Sequence, residues 1–478
     1  MKDLFIKNLK NKILLEDNTI IIENLSEAQK SEPRGRYMNH ALFVVKPINV
    51  IQVSKVVSLM NDQKIGIIPY SGGTGLVGGQ LASEGENSIL LSLDKMKKIR
   101  NFSSLDNVLT VEAGVILSEI HNYVSEKKRI FPLSLASEGS CQIGGNLATN
   151  AGGINVIKYG NARDLCLGLE AVLPDGSIYN GLKSLIKDNT GYDIKNLLIG
   201  SEGTLGVITA ASLKLYPKPE KTCVSLICME SFEIALKLYN HLFENLHSSI
   251  NAFEIMNKNG LDFLERAKIP FKDPFKKRSE WILLVELTCT SDDEIEERFY
   301  KLLDGFMKKN SIEDVLFAQN ERQRLDFWEI REKIPEANRI IGSVSSHDIS
   351  LPLSNLGSFF DRASKKVMKF SQHLLINCFG HLGDGNLHFN VFPVYGKKKE
   401  EFDYLKDDLK DEIYNLVNQL NGSISAEHGI GKLKMLDLYK YSGQTKMEIM
   451  LKIKNAFDPN GIMNPNKVVS KEIMYKYI

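Results

Sequence analysis

Two histidines, His381 and His388, bracket an Asp384-Gly385 pair in the stretch CFGHLGDGNLHFNV. Asp-Gly between apolar runs signals a two-residue hairpin turn. A turn centred there pairs Gly383 with Asn386, Leu382 with Leu387, and His381 with His388. The two imidazoles then stand opposite each other on one face, with Cβ atoms about 5 Å apart. Such a pair suits a shared divalent cation, and a cross-strand pair without metal fits the same spacing. Further on, SAEHGIGK offers a carboxylate, Glu427, and a third imidazole, His428. Adjacent side chains on a strand point apart, so this pair means little alone. Gly429 and Gly431 permit a bend there. The histidines His40, His121, His241, His247 and His373 have no such company and read as surface or core residues.

A second kind of chemistry is suggested by IIPYSGGTGLVGGQ, in which Gly73, Gly75 and Gly78 spell G-x-G-x-x-G. A dinucleotide turn of the Rossmann type must open a helix, because the pyrophosphate sits on that helix's N-terminus. The residues after Gly79 are QLASEGENSILLSL, polar and then strand-like. A Walker loop fails for want of G-K-[ST]. The loop therefore reads in one of two ways. Its side-chain-free residues let backbone N–H groups approach an anion closely, as a nest does, or it is a flexible surface loop. Two more glycine-rich and Ser/Thr-rich stretches lie in the same half, PLSLASEGSCQIGGNLATNAGGINVIKYGNARD and GYDIKNLLIGSEGTLGVIT. Three such loops suit a large dinucleotide better than a single phosphate.

These residues need elements to hold them. At 478 residues the chain is too long for one core. From about residue 40 to 219, ALFVVKP, KIGIIPY, SILLSL, NVLTVEAG, LGLEAVLPDGSI and GVITAASLKLYP read as short strands. NVIQVSKVVSLMNDQ and ILSEIHNYVSEKK have helical spacing. YPKPE marks a boundary. Beyond it, long amphipathic helices such as SFEIALKLYNHLFENL and RLDFWEIREKI alternate with strands such as EWILLVELTC, a pattern of antiparallel sheet backed by helices. The expected division is residues 1–219, with an N-terminal arm over 1–39, then 220–455, then a C-terminal segment 456–478 returning to the first domain.

Lys plus Arg (60) nearly cancels Asp plus Glu (59), so the net charge of +1 gives no case for nucleic acid or an anionic membrane. The partner is expected to be small. The six cysteines form no C-x-x-C pair and read as buried thiols. The N-terminus shows no unbroken apolar region followed by a cleavage site, and no stretch reaches the roughly 18 apolar residues of a span. A cytoplasmic protein without a membrane span is expected.

From about Arg34 to Val468 the loops, the hairpin and the SAEHGIGK segment together closely resemble the vanillyl-alcohol oxidase/p-cresol methylhydroxylase flavoproteins. Within that family they look like the FAD-binding D-2-hydroxyacid dehydrogenase branch, whose D-2-hydroxyglutarate enzymes are nearest in type. The resemblance implies an α+β fold: a two-subdomain FAD-binding domain of the p-cresol methylhydroxylase type, and a substrate and metal domain with antiparallel sheet and helices. It implies that Ser71, Gly72, Gly73, Thr74, Gly75, Leu76, Val77, Gly78 and Gly79 wrap the FAD pyrophosphate. Ser140, Gly144, Gly145, Asn146, Thr149, Ala151, Gly152, Gly153 and Gly160 would line the isoalloxazine and ribityl chain, with Glu202, Gly203 and Ile208 closing the site. Some relatives attach FAD through a His near the first loop. That loop has none here, so non-covalent FAD is expected.

The same resemblance makes His381, His388 and Glu427 ligands of one zinc-like or manganese-like ion, with His428 the catalytic base. It gives Asn390 and Arg331 as substrate contacts, the arginine through the substrate carboxylate. The implied reaction oxidises a D-2-hydroxy acid, D-2-hydroxyglutarate first, to the 2-oxo acid by hydride transfer to flavin. The match breaks at two positions. Ser346 stands before His347-Asp348 where the D-2-hydroxyglutarate enzymes carry a lysine, and Pro335 stands where some relatives have a hydroxyl-bearing contact. D-lactate or glycolate therefore stays open as the substrate. A metal-dependent hydrolase is the alternative class, although it has no use for three glycine loops. Without iron–sulfur cysteines or a second redox domain, electrons are expected to leave to an external acceptor, which the resemblance gives as an electron-transfer flavoprotein or a quinone-linked partner. A homodimer is admitted and not required.

Overall fold

The computed structural model describes residues 2–290 and 294–470. The last eight residues of the expected C-terminal segment lie outside the described residues. The chain forms two compact units. The first takes residues 1–152, 160–217 and 427–478, and the second takes 153–159 and 218–426. Residues 427–455, expected in the second domain, thus lie in the first unit. The short piece Gly153–Tyr159, expected in the first domain, lies in the second. Packing decides both: Val468 N–H bonds to Gly431 O, while Lys158 Nζ bonds to Thr288.

In the first unit a small sheet runs in the order Ile21–Glu23, Val44–Lys46, Ser88–Ser92, Gly66–Tyr70. Its first pair is antiparallel and the other two are parallel. The helix Val50–Gln63 forms because its apolar residues recur with helical period and Asn49 caps it, accepting from Gln52 N–H at 2.9 Å. It buries Val53, Val56, Val57 and Met60 in a core that also takes Leu9 and Ile13 from the helix Lys2–Glu16. A second sheet, five-stranded and antiparallel, has the order Ile99–Ser103, Val108–Glu112, Val207–Lys214, Cys166–Val172, Ile178–Gly181. Arg100 bonds Glu112 and forks onto Glu170 across it.

The second unit is built on a seven-stranded antiparallel sheet. Its order is Ile312–Phe317, Lys221–Met229, Trp281–Cys289, Ile250–Asn257, Leu374–His381, Asn386–Pro393, Ser345–Ser350. One face packs against Phe232–Leu246 and Leu353–Phe370 through aromatic pairs such as Phe232 with Trp281, centroids 5.0 Å apart. The other face meets the helix Glu321–Ile341, whose Phe327, Trp328, Ile330, Ile334 and Ala337 join Met256, Ile282 and Leu284 in one core. Asn320 caps that helix by accepting from Gln323 N–H. Beyond the helix this second face turns polar, at His381, His388, Asn390, Asp348 and Ser346.

All six cysteines are unpaired. Burial pushes the thiols of Cys166, Cys223 and Cys228 up to about 12, which leaves them unreactive. Among the described residues no helix is long and apolar enough to cross a membrane.

Candidate active site

The hairpin differs in register from the sequence expectation. His388 pairs with Phe379, not His381, and Asn390 pairs with Asn377. The connection is a 3-10 turn, Leu382–Asp384, closed by Gly385 at φ 83°. A two-residue turn of the expected kind needs positive φ at both central positions, and of the two only Gly385 has it. The wider turn lets Leu382 drop fully into the core, and Asp384 Oδ1 accepts from Asn386 N–H. A shift of two residues preserves the face each side chain points to. His381 and His388 therefore still share one face, with ring centroids 5.7 Å apart. His381 is instead paired in the ladder with Glu254 on its other neighbour strand.

Each imidazole has a carboxylate behind it. His381 Nδ1 lies 2.6 Å from Glu254 Oε1, and His388 Nδ1 lies 3.7 Å from Asp348 Oδ1. Asp348 is itself held by Asn386 Nδ2 at 3.0 Å. The His381–Glu254 contact is a hydrogen bond, and a ligand imidazole is commonly oriented in that way, with one nitrogen bonded and the other facing the metal. Glu427 comes directly after Ala426, whose N–H bonds to Asp348 O. One ligand atom each from His381, His388 and Glu427 lie within 4.8 Å of one another, the one such group among the described residues. Two nitrogens and a carboxylate suit a zinc-like or manganese-like ion and leave positions open for substrate.

Arg331 is buried on the helix Glu321–Ile341 and is not the surface arginine its helical setting alone would suggest. Its Nε donates to Glu254 Oε2 at 2.8 Å, and its guanidinium lies 4.7 Å from the Phe379 ring centroid. Both Nη groups are without a partner among the described residues, so the fork remains available for a carboxylate. Glu254 is fully buried. Burial pushes its carboxyl up, but His381 and Arg331 outweigh this and hold it below the usual range. Removing one partner of a buried pair like this strands the other charge, at a cost of about 3–5 kcal/mol. At Asp384 burial outweighs the nearby His381 and the Asn386 N–H, and pushes the carboxyl up to about 6.

Asn390 lies two residues beyond His388 on the same strand face, its amide bonded to His388 O at 3.2 Å. Ser346 pairs with Asn390 in the ladder, is exposed, and has its hydroxyl 2.6 Å from that of Ser343. His347 points the other way, buried against Tyr414 with Nε2 on Ser345 Oγ at 2.9 Å. Pro335, one turn after Arg331, cannot donate to the Arg331 carbonyl.

In the first unit the stretch Ser71–Gly79 leaves the end of strand Gly66–Tyr70, and no helix comes after it. Gly72 has φ 77°, and a Cβ there would meet the backbone of Ser140, Cys141 and Gln142 at 2.9–3.0 Å. A Cβ on Gly145 would stand 2.7 Å from Ser71 O, and one on Gly144 would stand 2.7 Å from Ala113 Cβ. Only glycine permits this closeness, so the first two loops meet backbone to backbone. Gln80 Nε2 ties the carbonyls of Gly73 and Gly75 at 3.2 and 2.7 Å. Such a cradle of side-chain-free backbone fits a pyrophosphate. Asn146 is buried on the short helix Ile143–Ala148, Thr149 Oγ1 bonds Gly145 O, and Ala151 N–H bonds Asn146 O. Gly203 (φ 73°) and Ile208, at the start of strand Val207–Lys214, are buried beside the third loop. Gly160, with φ 78°, packs on Asp164, while Gly153 belongs to the second unit.

Glu202 reaches backbone amides far along the chain. Its carboxylate accepts from Ile430 and Gly431 N–H, both at 2.7 Å. Burial pushes this carboxyl up despite those two donors. Gly429 and Gly431 have φ of 77° and 49°, so the bend after Glu427-His428 is present. Asn464 completes the knot by donating to Gly79 O and Glu202 O. The sequence reading missed Glu254, Gln80 and Asn464. Glu254 carried a signal, a lone charge in the centre of the apolar strand INAFEIMN.

Comparison with known proteins gives the family and the fold. Residues 218–468 match the C-terminal domain of FAD linked oxidases, and residues 41–181 match an FAD binding domain. Mitochondrial D-2-hydroxyglutarate dehydrogenase of Arabidopsis thaliana is 33% identical over 457 residues, covering 96% of this chain and 80% of the relative. The Bos taurus enzyme of the same name is 36% identical, covering 89% of this chain and 76% of the relative. A D-2-hydroxyglutarate–pyruvate transhydrogenase of Saccharomyces cerevisiae is 32% identical, covering 91% and 88%. In fold, substrate-bound p-cresol methylhydroxylase superposes with a TM-score of 0.74 at 18% identity, over 97% of this chain and 96% of that one. The chain belongs to the FAD-linked oxidase family, in its D-2-hydroxyacid dehydrogenase branch, and has the p-cresol methylhydroxylase-type fold.

Proposed function

We propose that this enzyme, an FAD-dependent dehydrogenase of D-2-hydroxy acids, acts on D-2-hydroxyglutarate with a divalent cation held by His381, His388 and Glu427. The reading is carried by the buried Arg331–Glu254–His381 chain, which ties a free guanidinium fork to a proposed ligand imidazole. Bound FAD supplies a hydride acceptor, and a bound zinc-like or manganese-like cation supplies Lewis acidity toward the substrate hydroxyl. Arg331 receives the substrate carboxylate through its two Nη groups. Asn390 contacts the substrate beside His388. Neutral His428 accepts the hydroxyl proton, leaving the α-hydrogen to depart as hydride. Residues 71–79, with Ser140, Gly144, Gly145, Asn146, Thr149, Ala151, Gly152, Gly153, Gly160, Glu202, Gly203 and Ile208, are proposed to hold FAD without a covalent bond. In domain terms, the first compact unit is proposed to bind FAD, and the second to supply His381, His388, Arg331 and Asn390.

Ser346 favours a second reading, D-lactate or glycolate, because a neutral hydroxyl stands where a second carboxylate would call for a cation. Electrons would leave to an electron-transfer flavoprotein or a quinone-linked acceptor. The name of the yeast relative contains pyruvate as co-substrate, so pyruvate belongs in the same assay. Residence in the cytoplasm is also proposed, and cell fractionation tests it against the mitochondrial names of the relatives. For the reaction, the purified protein should be yellow, release its flavin on acid precipitation, and bleach anaerobically with D-2-hydroxyglutarate. Bleaching by D-lactate alone moves the assignment to the second reading. No bleaching by any D-2-hydroxy acid sinks both.

A further inference from the structure

We infer that Glu254 is a positioning residue that sets the metal-binding imidazole and the substrate-binding guanidinium together through one carboxylate. The inference rests on the reading of His381 as ligand and Arg331 as carboxylate anchor, and assigns a role to a residue that contacts neither metal nor substrate. All eight residues of strand Ile250–Asn257 are buried. An ionised group at its centre costs free energy unless both oxygens are used. Both are used, and by these two residues: Oε1 by His381 Nδ1 at 2.6 Å and Oε2 by Arg331 Nε at 2.8 Å.

The two bonds have separate consequences. An imidazole that donates Nδ1–H to a carboxylate is fixed in one tautomer and orientation, with its lone pair at Nε2 for a cation. A guanidinium engaged at Nε alone keeps both Nη groups for a planar carboxylate, and the Phe379 ring at 4.7 Å limits its tilt. Glu254 and His381 are directly paired in the sheet, so that half of the link is fixed by the backbone. Arg331 arrives from a helix, and the carboxylate is what registers it against the sheet.

The test uses the holoprotein with Zn²⁺ as probe. Glu254→Gln keeps the volume and removes the charge, and Glu254→Asp keeps the charge and shortens the reach. Zn²⁺ affinity is measured by competition with a chromophoric chelator, beside flavin content, KM and kcat. Glu254→Gln should bind Zn²⁺ about 10–100-fold more weakly and raise KM, with flavin content unchanged. Glu254→Asp should recover part of the Zn²⁺ affinity. Wild-type Zn²⁺ affinity and KM in Glu254→Gln, even with a lower Tm, would make the residue a structural filler and overturn the role. If Glu254→Gln does not fold, Arg331→Met carries the test. A residue remote from the metal should then shift Zn²⁺ affinity by roughly twofold or more, and an unchanged affinity overturns the link. His388→Ala separates the two levels: if it binds Zn²⁺ normally, the metal reading falls and this role with it. If it loses Zn²⁺ while the Glu254 and Arg331 variants do not, only the positioning role falls.

Discussion

Five of the nine residues 71–79 in the first unit are glycine, and where this stretch meets 140–145 the contact is between backbones, as where Gly72 meets Ser140 to Gln142 and Gly145 meets Ser71. The His381–His388 hairpin in the second unit is the reverse. Its backbone is an ordinary antiparallel ladder, and its distinctive features are side chains set beside buried carboxylates, His381 hydrogen-bonded to Glu254 and His388 with Asp348 3.7 Å away. If the first region holds FAD as proposed, it does so with backbone dipoles that do not titrate, and one added methyl group at its close approaches would disturb it. A cluster of imidazoles and carboxylates tolerates changes of shape and fails when a proton or a charge is misplaced. The two regions should therefore break under different substitutions.

The largest effect is expected from the side-chain region. His428→Ala should lower kcat by about 10²–10⁴ with Zn²⁺ and flavin retained, both measured on the purified variant. Near-normal kcat would remove His428 from the chemistry. The converse comes from the backbone region. Gly72→Ala adds a Cβ at positive φ against backbone atoms, at a cost of about 1–3 kcal/mol. Flavin content should fall while Zn²⁺ binding stays normal, and a fully flavinated variant would mean that this loop does not cradle the cofactor.

A smaller effect sharpens specificity. Ser346→Lys places a cation beside Asn390 and should raise the ratio of kcat/KM for D-2-hydroxyglutarate over D-lactate about tenfold. An unchanged ratio puts the distal carboxylate elsewhere. The smallest test is a titration in the unit that otherwise relies on backbone. Lys467 is fully buried, and burial brings its amine down to about 8 from the ordinary 10.5. Between those values the unfolded chain holds the proton and the folded chain does not, so stability should rise as pH goes from 8 to 10.5. Lys467→Met should flatten that rise in Tm, and an equal slope in both proteins would show that Lys467 stays charged.

Much of this was legible in residue order because it depends on local rules. Short apolar runs bounded by Gly and Pro became the strands Val44–Lys46, Gly66–Tyr70 and Ser88–Ser92. The polar stretch after Gly79 ruled out a helix there, and none is present. The spacing of His381 and His388 put both on one face, because face depends only on parity along a strand. Register does not depend on parity alone. Burial of Leu382 and the pairing of His381 with Glu254 moved the hairpin by two residues. The role of Glu202 likewise depends on Ile430 and Gly431, more than two hundred residues away in sequence. Sequence by itself determined which residues could carry the chemistry and which face each would take, since side-chain type and backbone period are local properties. Tertiary structure alone decided that Arg331 and His381 share the carboxylate of Glu254. That pairing joins three elements distant in sequence, and it is stable only because all three are buried at one place.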